Sequence, residues 1–173
     1  MMPDAPLLLR LGGLVAAYKG WTYHRTQVGA AHGAGAMPLS VTASRRRQTN
    51  CSTFLADVVM ALYPDAGWTS TDYGDVQVYA DRLPDYPASM VRAMVRRGVG
   101  REVDGPMGGV HVVQGWVRPW VGHQMIVVDD DPAGRLLVID ANVGRVEAVA
   151  MSWTTLDALR ERYSYETSWA QLR

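Results

Sequence analysis

From Cys51 to Tyr63 the chain carries a helix with almost no polar side. Cys51, Phe54, Leu55, Val58, Val59 and Leu62 follow the i, i+3, i+4, i+7 spacing of a helix face, Met60 and Ala61 add apolar surface elsewhere, and Asp57 is the one charge. Thr49 or Asn50 can cap its start, and Pro64 ends it. A helix that is apolar over most of its circumference must be covered on several sides, so it predicts a central helix with the rest of the chain built around it. At 173 residues the chain is long enough for one domain with such a core and cramped for two.

Around that helix the pattern divides the chain into helices first and strands second. Leu7 to Tyr18 reads as a helix weakened by Gly12 and Gly13, Val28 to Ser44 as a loop rich in glycine and alanine, and Trp68 to Asp85 as irregular. Pro87 to Arg97 reads as a second good helix, with Pro87 in its first turn, Met90, Val91, Met94 and Val95 as its stripe and Gly98 as its stop. After Gly105, the β-branched runs Val110–Trp116, Gln124–Val128 and Leu136–Ala141 predict an antiparallel meander. Ser152 to Tyr163 reads as a last helix, and Tyr165 to Leu172 as an edge strand. The expected class is α+β, with the cysteine-bearing helix packed on the meander.

Charge and cysteine content narrow the function. Lys plus Arg and Asp plus Glu both number 17, so no net field draws the chain to nucleic acid or to an anionic membrane. No stretch approaches the roughly 18 consecutive apolar residues of a membrane span. Leu7–Ala17 lacks a basic n-region, is preceded by Asp4 and is interrupted by Arg10, so no secretory signal is expected. Cytoplasmic location is then the default, with delivery outside by another route open. A single cysteine excludes an intramolecular disulfide, a CxxC redox pair and a Cys-rich zinc site. Asp129–Asp131, followed by Pro132, Ala133 and Gly134, reads as a hairpin turn rather than a metal loop, so no metal or cofactor is expected at His111, His123 or that run.

Cys51 stands at the start of the central helix, where unpaired N–H groups and the helix dipole favour a thiolate. It also shares the apolar stripe, so it should face the protein body, where a base can meet it. His24 and His32 lie in polar or loop segments and are expected in solvent, whereas His111 and His123 are on strands. If Val128 and Arg135 close the loop Asp129–Gly134, counting back places His123 opposite Asp140, on one face of the sheet. A slip of two residues substitutes Asn142 for Asp140, and only a slip of one loses both. Two polar residues on one face of neighbouring apolar strands are costly unless they pair. Thiol, imidazole and orienting carboxylate are the parts of a nucleophilic triad.

Asn50-Cys51-Ser52-Thr53-Phe54-Leu55 resembles the DCSGLV-type helix start of the NlpC/P60 cysteine peptidases, and Gly122-His123-Gln124-Met125-Ile126-Val127 resembles their GHVGIYL-type strand. Gly20-Trp21-Thr22-Tyr23 is similar to the G-x-P-Y segment before their nucleophile, which implies that Tyr23 shapes the site. Asp140 and Asn142 resemble the polar residues after the histidine in the related CHAP amidases. Asn50 stands where the family has an acidic residue and Thr53 where it has glycine, and the longer gap between Cys51 and His123 marks 68–105 as an insertion over the cleft. Val112-Val113-Gln114-Gly115-Trp116, His123 and Ile139-Asp140-Ala141-Asn142 also resemble blocks of the transglutaminase-like proteins.

Both resemblances imply a single papain-like domain over 1–173 and the same catalytic residues, Cys51, His123 and Asp140. The NlpC/P60 likeness implies a bacterial cell-wall peptide, or another peptide, as substrate; the transglutaminase likeness implies an acyltransferase. Gln48 and Gln114 are the two candidate side-chain donors for an oxyanion, and Trp116 and Trp120 are candidates to line a substrate groove. A non-catalytic binding module on the same fold is the reading of another class, and an inert Cys51 would favour it.

Overall fold

The computed structural model describes residues 5–33, 41–69, 72, 90–118 and 121–173. In chain order these form helix α1 (Ala5–Ala16), strand β1 (Thr22–Tyr23), helix α2 (Val41–Arg45), strand β2 (Gln48–Thr49), helix α3 (Cys51–Leu62), a 3-10 turn (Pro64–Ala66) and helix α4 (Met90–Arg96). The remainder is β3 (Gly100–Val103), β4 (Gly109–Arg118), β5 (Val121–Asp129), β6 (Leu136–Ala141), β7 (Val149–Thr154), helix α5 (Leu156–Arg162) and β8 (Glu166–Leu172). The protein is mixed α and β: α3 packs on β5 and β6 of a six-stranded antiparallel sheet of order β3-β8-β4-β5-β6-β7.

The apolar circumference of α3 is accounted for by what surrounds it. Leu11, Val15 and Tyr18, from α1 and the turn after it, cover one side of α3, the sheet residues Val112, Ile126 and Ile139 cover another, and Met90 and Met94 of α4 join the same cluster. Phe54, Leu55, Val58 and Val59 are fully buried there, each removal from water stabilising the fold by roughly 1.5–3 kcal/mol. The one charge, Asp57, is also fully buried, and its Oδ2 accepts the Tyr18 hydroxyl at 2.7 Å and the His32 amide at 3.0 Å. A smaller cluster lies on the other face of the sheet, where Leu159 and Tyr163 lie on Val113, Met125, Val127 and Val138.

Five expectations need correction. The loop over Val28–Ser44 contains α2, which lies so close to Gly29 that a Cβ there would meet the Ser44 backbone nitrogen at 2.3 Å. Ser152–Thr154 is strand rather than helix, because it continues the ladder with β6 and because Thr155 caps α5, accepting the Ala158 amide at 3.2 Å. The Tyr165–Leu172 segment yields β8, which is interior, paired to both β4 and the unforeseen strand β3. His32 is half-buried, and its Nε2 lies 2.9 Å from the Leu14 carbonyl oxygen. Finally, the β5–β6 hairpin pairs Val128 with Leu137 instead of Arg135, a slip of two residues. Its loop is longer because Asp131 builds the turn, accepting from Ala133 and Arg135 through its carboxylate and from Gly134 through its carbonyl.

Most of the segment expected to be irregular, Trp68 to Asp85, and the start of the helix expected from Pro87, lie outside the described residues, as do 73–89 of the segment expected over the cleft. Its later part builds core: Met90, Val91, Ala93 and Met94 of α4 are buried. Among the described residues no helix is long and apolar enough to cross a membrane.

Candidate active site

The start of α3 is set by Asn50. Its backbone is extended (φ −132°, ψ 178°), its Oδ1 accepts the Thr53 amide at 2.9 Å, and its Nδ2 donates to the Arg25 carbonyl at 3.3 Å. Asparagine therefore caps as an acidic residue would, and also ties the helix start to the chain after β1. The cap leaves Cys51 as the first helical residue, 5% exposed, with its Sγ 3.9 Å from the Ser52 hydroxyl. Upstream, β1 pairs in parallel with β2, Tyr23 against Thr49, and this brings the Tyr23 hydroxyl into a hydrogen bond with Cys51. Burial, reinforced by the neighbouring thiol, pushes Tyr23 up to about 12.

His123 reaches the thiol from the sheet. The β5–β6 ladder stops at Ile126↔Ile139, three residues short of His123, so His123 and Asp140 both lie beyond the last paired residues. By alternation His123 belongs to the face of Met125 and Val127, the one covered by α5, whereas α3 covers the opposite face. The side-chain hydrogen bond between His123 and Cys51 is thus made where β5 and β6 no longer pair. His123 Nε2 is 2.6 Å from Asp140 Oδ2, which leaves Nδ1 as the ring nitrogen for the thiol. The slip of two residues did not substitute Asn142. Asn142 Oδ1 instead accepts its own neighbour, the Val143 amide, at 2.8 Å, while Asp140 reaches His123 diagonally.

The electrostatics follow from this packing. His123 has a side chain only 12% exposed; burial pulls its pKa down, but the hydrogen bond to Asp140 and the adjacent Cys51 outweigh burial and raise it to about 9. Burial pushes Asp140 up, but His123 and Arg145 outweigh that and hold its carboxyl below the ordinary range. Arg145 Nη1 donates to Asp140 Oδ1 at 2.5 Å and to the Asp140 carbonyl at 3.2 Å. These favour an imidazolium at His123 against the Asp140 carboxylate, which is matched from behind by a guanidinium.

Two site residues were missed from sequence. Arg145 sits in the turn after β6, where nothing local signals a partner. Tyr163, just after α5, stacks on the His123 ring with centroids 6.2 Å apart and planes 14° apart. Its ring fills the space above Gly115, where a Cβ would meet Tyr163 Cγ at 2.5 Å, and Gly115 is the residue paired with His123 across the β4–β5 ladder. Glycine in an otherwise β-branched strand was the available signal.

Of the supporting candidates, Gln114 is buried on the α3 face beside Gly122, with no acceptor for its Nε2 among the described residues. Gln48 is half-buried on β2, three residues before Cys51, with no donor to its Oε1 among the described residues. Trp116 is half-buried and packs over Gly122; Trp120 lies outside the described residues. His111 pairs with Val127 at the far end of β4 from His123, and Asp129 lies beyond it, so these residues do not converge with His123 on a metal site. No protein-family model, curated protein or solved structure matches this chain.

Proposed function

We propose that this chain is a papain-like cysteine hydrolase, similar in type to the NlpC/P60 amidases and endopeptidases, that cleaves an amide bond in a cell-wall peptide. The observation that carries this reading is His123 held between the Asp140 carboxylate and the Cys51 thiol at a capped helix start. In the reaction, the Cys51 thiolate attacks the substrate carbonyl carbon, and the carbonyl π pair moves onto oxygen. The resulting oxyanion faces the N-terminal end of α3, with Gln114 Nε2 as a side-chain donor. The tetrahedral intermediate collapses to a thioester as the C–N bond breaks, and His123 Nδ1 gives its proton to the departing amine. Water then adds to the thioester, losing a proton to His123, and the acid leaves as the thiolate re-forms. Asp140 holds the Nε2–H throughout, and Arg145 keeps Asp140 ionised.

The test is in two parts. The rate of Cys51 alkylation by iodoacetamide, followed across pH in wild type and His123→Ala, reads the thiolate–imidazolium pair: a thiol reactive in mild acid that becomes sluggish in the variant supports it. A thiol that titrates near about 8.5 and ignores the loss of His123 overturns it and leaves a binding module. Mass spectrometry of purified peptidoglycan digested by wild type and by Cys51→Ala reads the substrate, and muropeptides left intact by a protein whose thiol is reactive would exclude the cell-wall peptide.

A further inference from the structure

A cavity of about 160 Å³ between β7 and α5 lies directly behind the His123–Asp140 pair. Its polar lining comes from Asp140, Arg145, Ser152, Thr154, Arg162 and Tyr163. Two guanidiniums therefore face it against one carboxylate. That carboxylate is already engaged: Oδ2 with His123 and Oδ1 with Arg145. The donors are not. Arg145 uses only Nη1, leaving Nε and Nη2 without a protein acceptor among the described residues. The Arg162 guanidinium lies over the Tyr163 ring, Cζ 5.6 Å from its centroid, and no carboxylate among the described residues pairs with it. Two larger cavities among the described residues differ in kind, being lined mainly by α1, the β5–β6 turn and apolar residues of β5 to β7, with no arginine in either.

A partly open cavity lined by several N–H and O–H donors, with two guanidiniums against one carboxylate that is already engaged, is matched by a ligand that accepts. We propose that this cavity is an oxyanion subsite, taking a carboxylate or phosphate group between Arg145 and Arg162, with the Ser152 and Thr154 hydroxyls completing its hydrogen bonds. The geometry of the cavity does not depend on the catalytic reading, but its consequence does: Arg145 is shared, so an occupant competes with Asp140 for the same guanidinium and is coupled to His123 through it. The anion has two possible sources, a carboxylate carried by the substrate or a free anion acting as an effector.

Calorimetric titration with inorganic phosphate and with succinate tests the site directly. Saturable binding is expected in wild type and retained in Cys51→Ala, so failure of the catalytic reading leaves this result standing. Arg162→Gln should weaken it roughly tenfold to a hundredfold, the effect of losing a charge-assisted contact. Ser152→Asp, an exposed position on β7, should abolish it by placing a carboxylate in the cavity. No saturation by either anion in wild type, or equal affinity in both variants, overturns the proposal. Acylation of Cys51 faster by para-nitrophenyl succinate than by the acetate, an advantage lost in Arg162→Gln, assigns the anion to the substrate. Equal acylation rates with phosphate still bound assign it to an effector.

Discussion

Replacing Asp140 with asparagine isolates the charge that holds His123. Asp140 is 2% exposed and accepts from His123 at 2.6 Å and from Arg145 at 2.5 Å. Raising the imidazole from 6.5 to about 9 corresponds to a preference on the order of 3 kcal/mol for its charged form. That rise exists only because Asp140, with Cys51, outweighs a burial that acts the other way. Asparagine keeps the shape and one acceptor oxygen but removes the charge, so burial is then opposed by Cys51 alone. The charged pair weakens, and the Cys51 alkylation rate in mild acid should fall roughly 10- to 100-fold while its midpoint moves toward about 8.5. Removing the carboxylate also leaves Arg145 without its counter-charge; because that side chain is 29% exposed and keeps the backbone carbonyl of residue 140, the cost should be about 1–3 kcal/mol, below that of a fully buried pair. Asp140→Asn combined with Arg145→Gln therefore separates stability from reactivity: it should recover part of the lost melting temperature without recovering the alkylation rate. Superimposable pH–rate profiles for wild type and a folded Asp140→Asn would refute the reasoning.

Three more expectations follow from the same contacts. Gly115→Ala places a Cβ 2.5 Å from Tyr163 Cγ, so it should cost about 1–3 kcal/mol in urea unfolding and shift the aromatic-ring resonances of His123 by displacing the stacked tyrosine. Asn50→Ala removes the α3 cap and should lower stability by about 0.5–2 kcal/mol, whereas Asn50→Asp keeps the cap and loses only the bond to the Arg25 carbonyl; chemical denaturation ranks the three proteins. The triad also sets a pH window for stability. His123 titrates in the fold at about 9, above its ordinary 6.5, so its contribution is full below 6.5 and is lost as pH rises through about 9. Asp140 lies below its ordinary 3.8, so its contribution is present above 3.8 and is lost as pH falls further. The melting-temperature difference between wild type and His123→Ala should accordingly shrink from neutral pH toward pH 9, and a difference that is flat across this range counts against the assignment.

The parts of this fold that were legible in the sequence are those encoded locally. The spacing of apolar residues in α3, a cap at Thr49 or Asn50, the stop at Pro64 and the β-branched runs of β4 to β6 are each decided within about ten residues, and the structure has them where the sequence pattern placed them, with Asn50 as the cap. Parity was legible too. Side chains alternate along a strand, so a hairpin slip of two residues still leaves Asp140 on the His123 face, and the residue pair survived an error in the register that suggested it. The errors arose where a longer-range partner overruled a local preference. Ser152–Thr154 took the strand state because β6 offered it a ladder, and β8 became interior because β3 paired on its free side.

What the sequence by itself determined is therefore the inventory: a buried helix with a thiol at its start, a sheet beside it, and an imidazole and a carboxylate on a common sheet face. Tertiary structure alone decided how these are brought to bear. The early end of the β5–β6 ladder lets a histidine on one face of the sheet meet a cysteine on the helix that covers the other. The choice of Asp140 over Asn142, the guanidinium of Arg145 behind it and the ring of Tyr163 over Gly115 have the same origin. The physical reason is range. Periodicity and capping are settled by neighbours in the chain, whereas the strength of a buried charge depends on which distant groups are packed within hydrogen-bond reach, and only the folded chain specifies that.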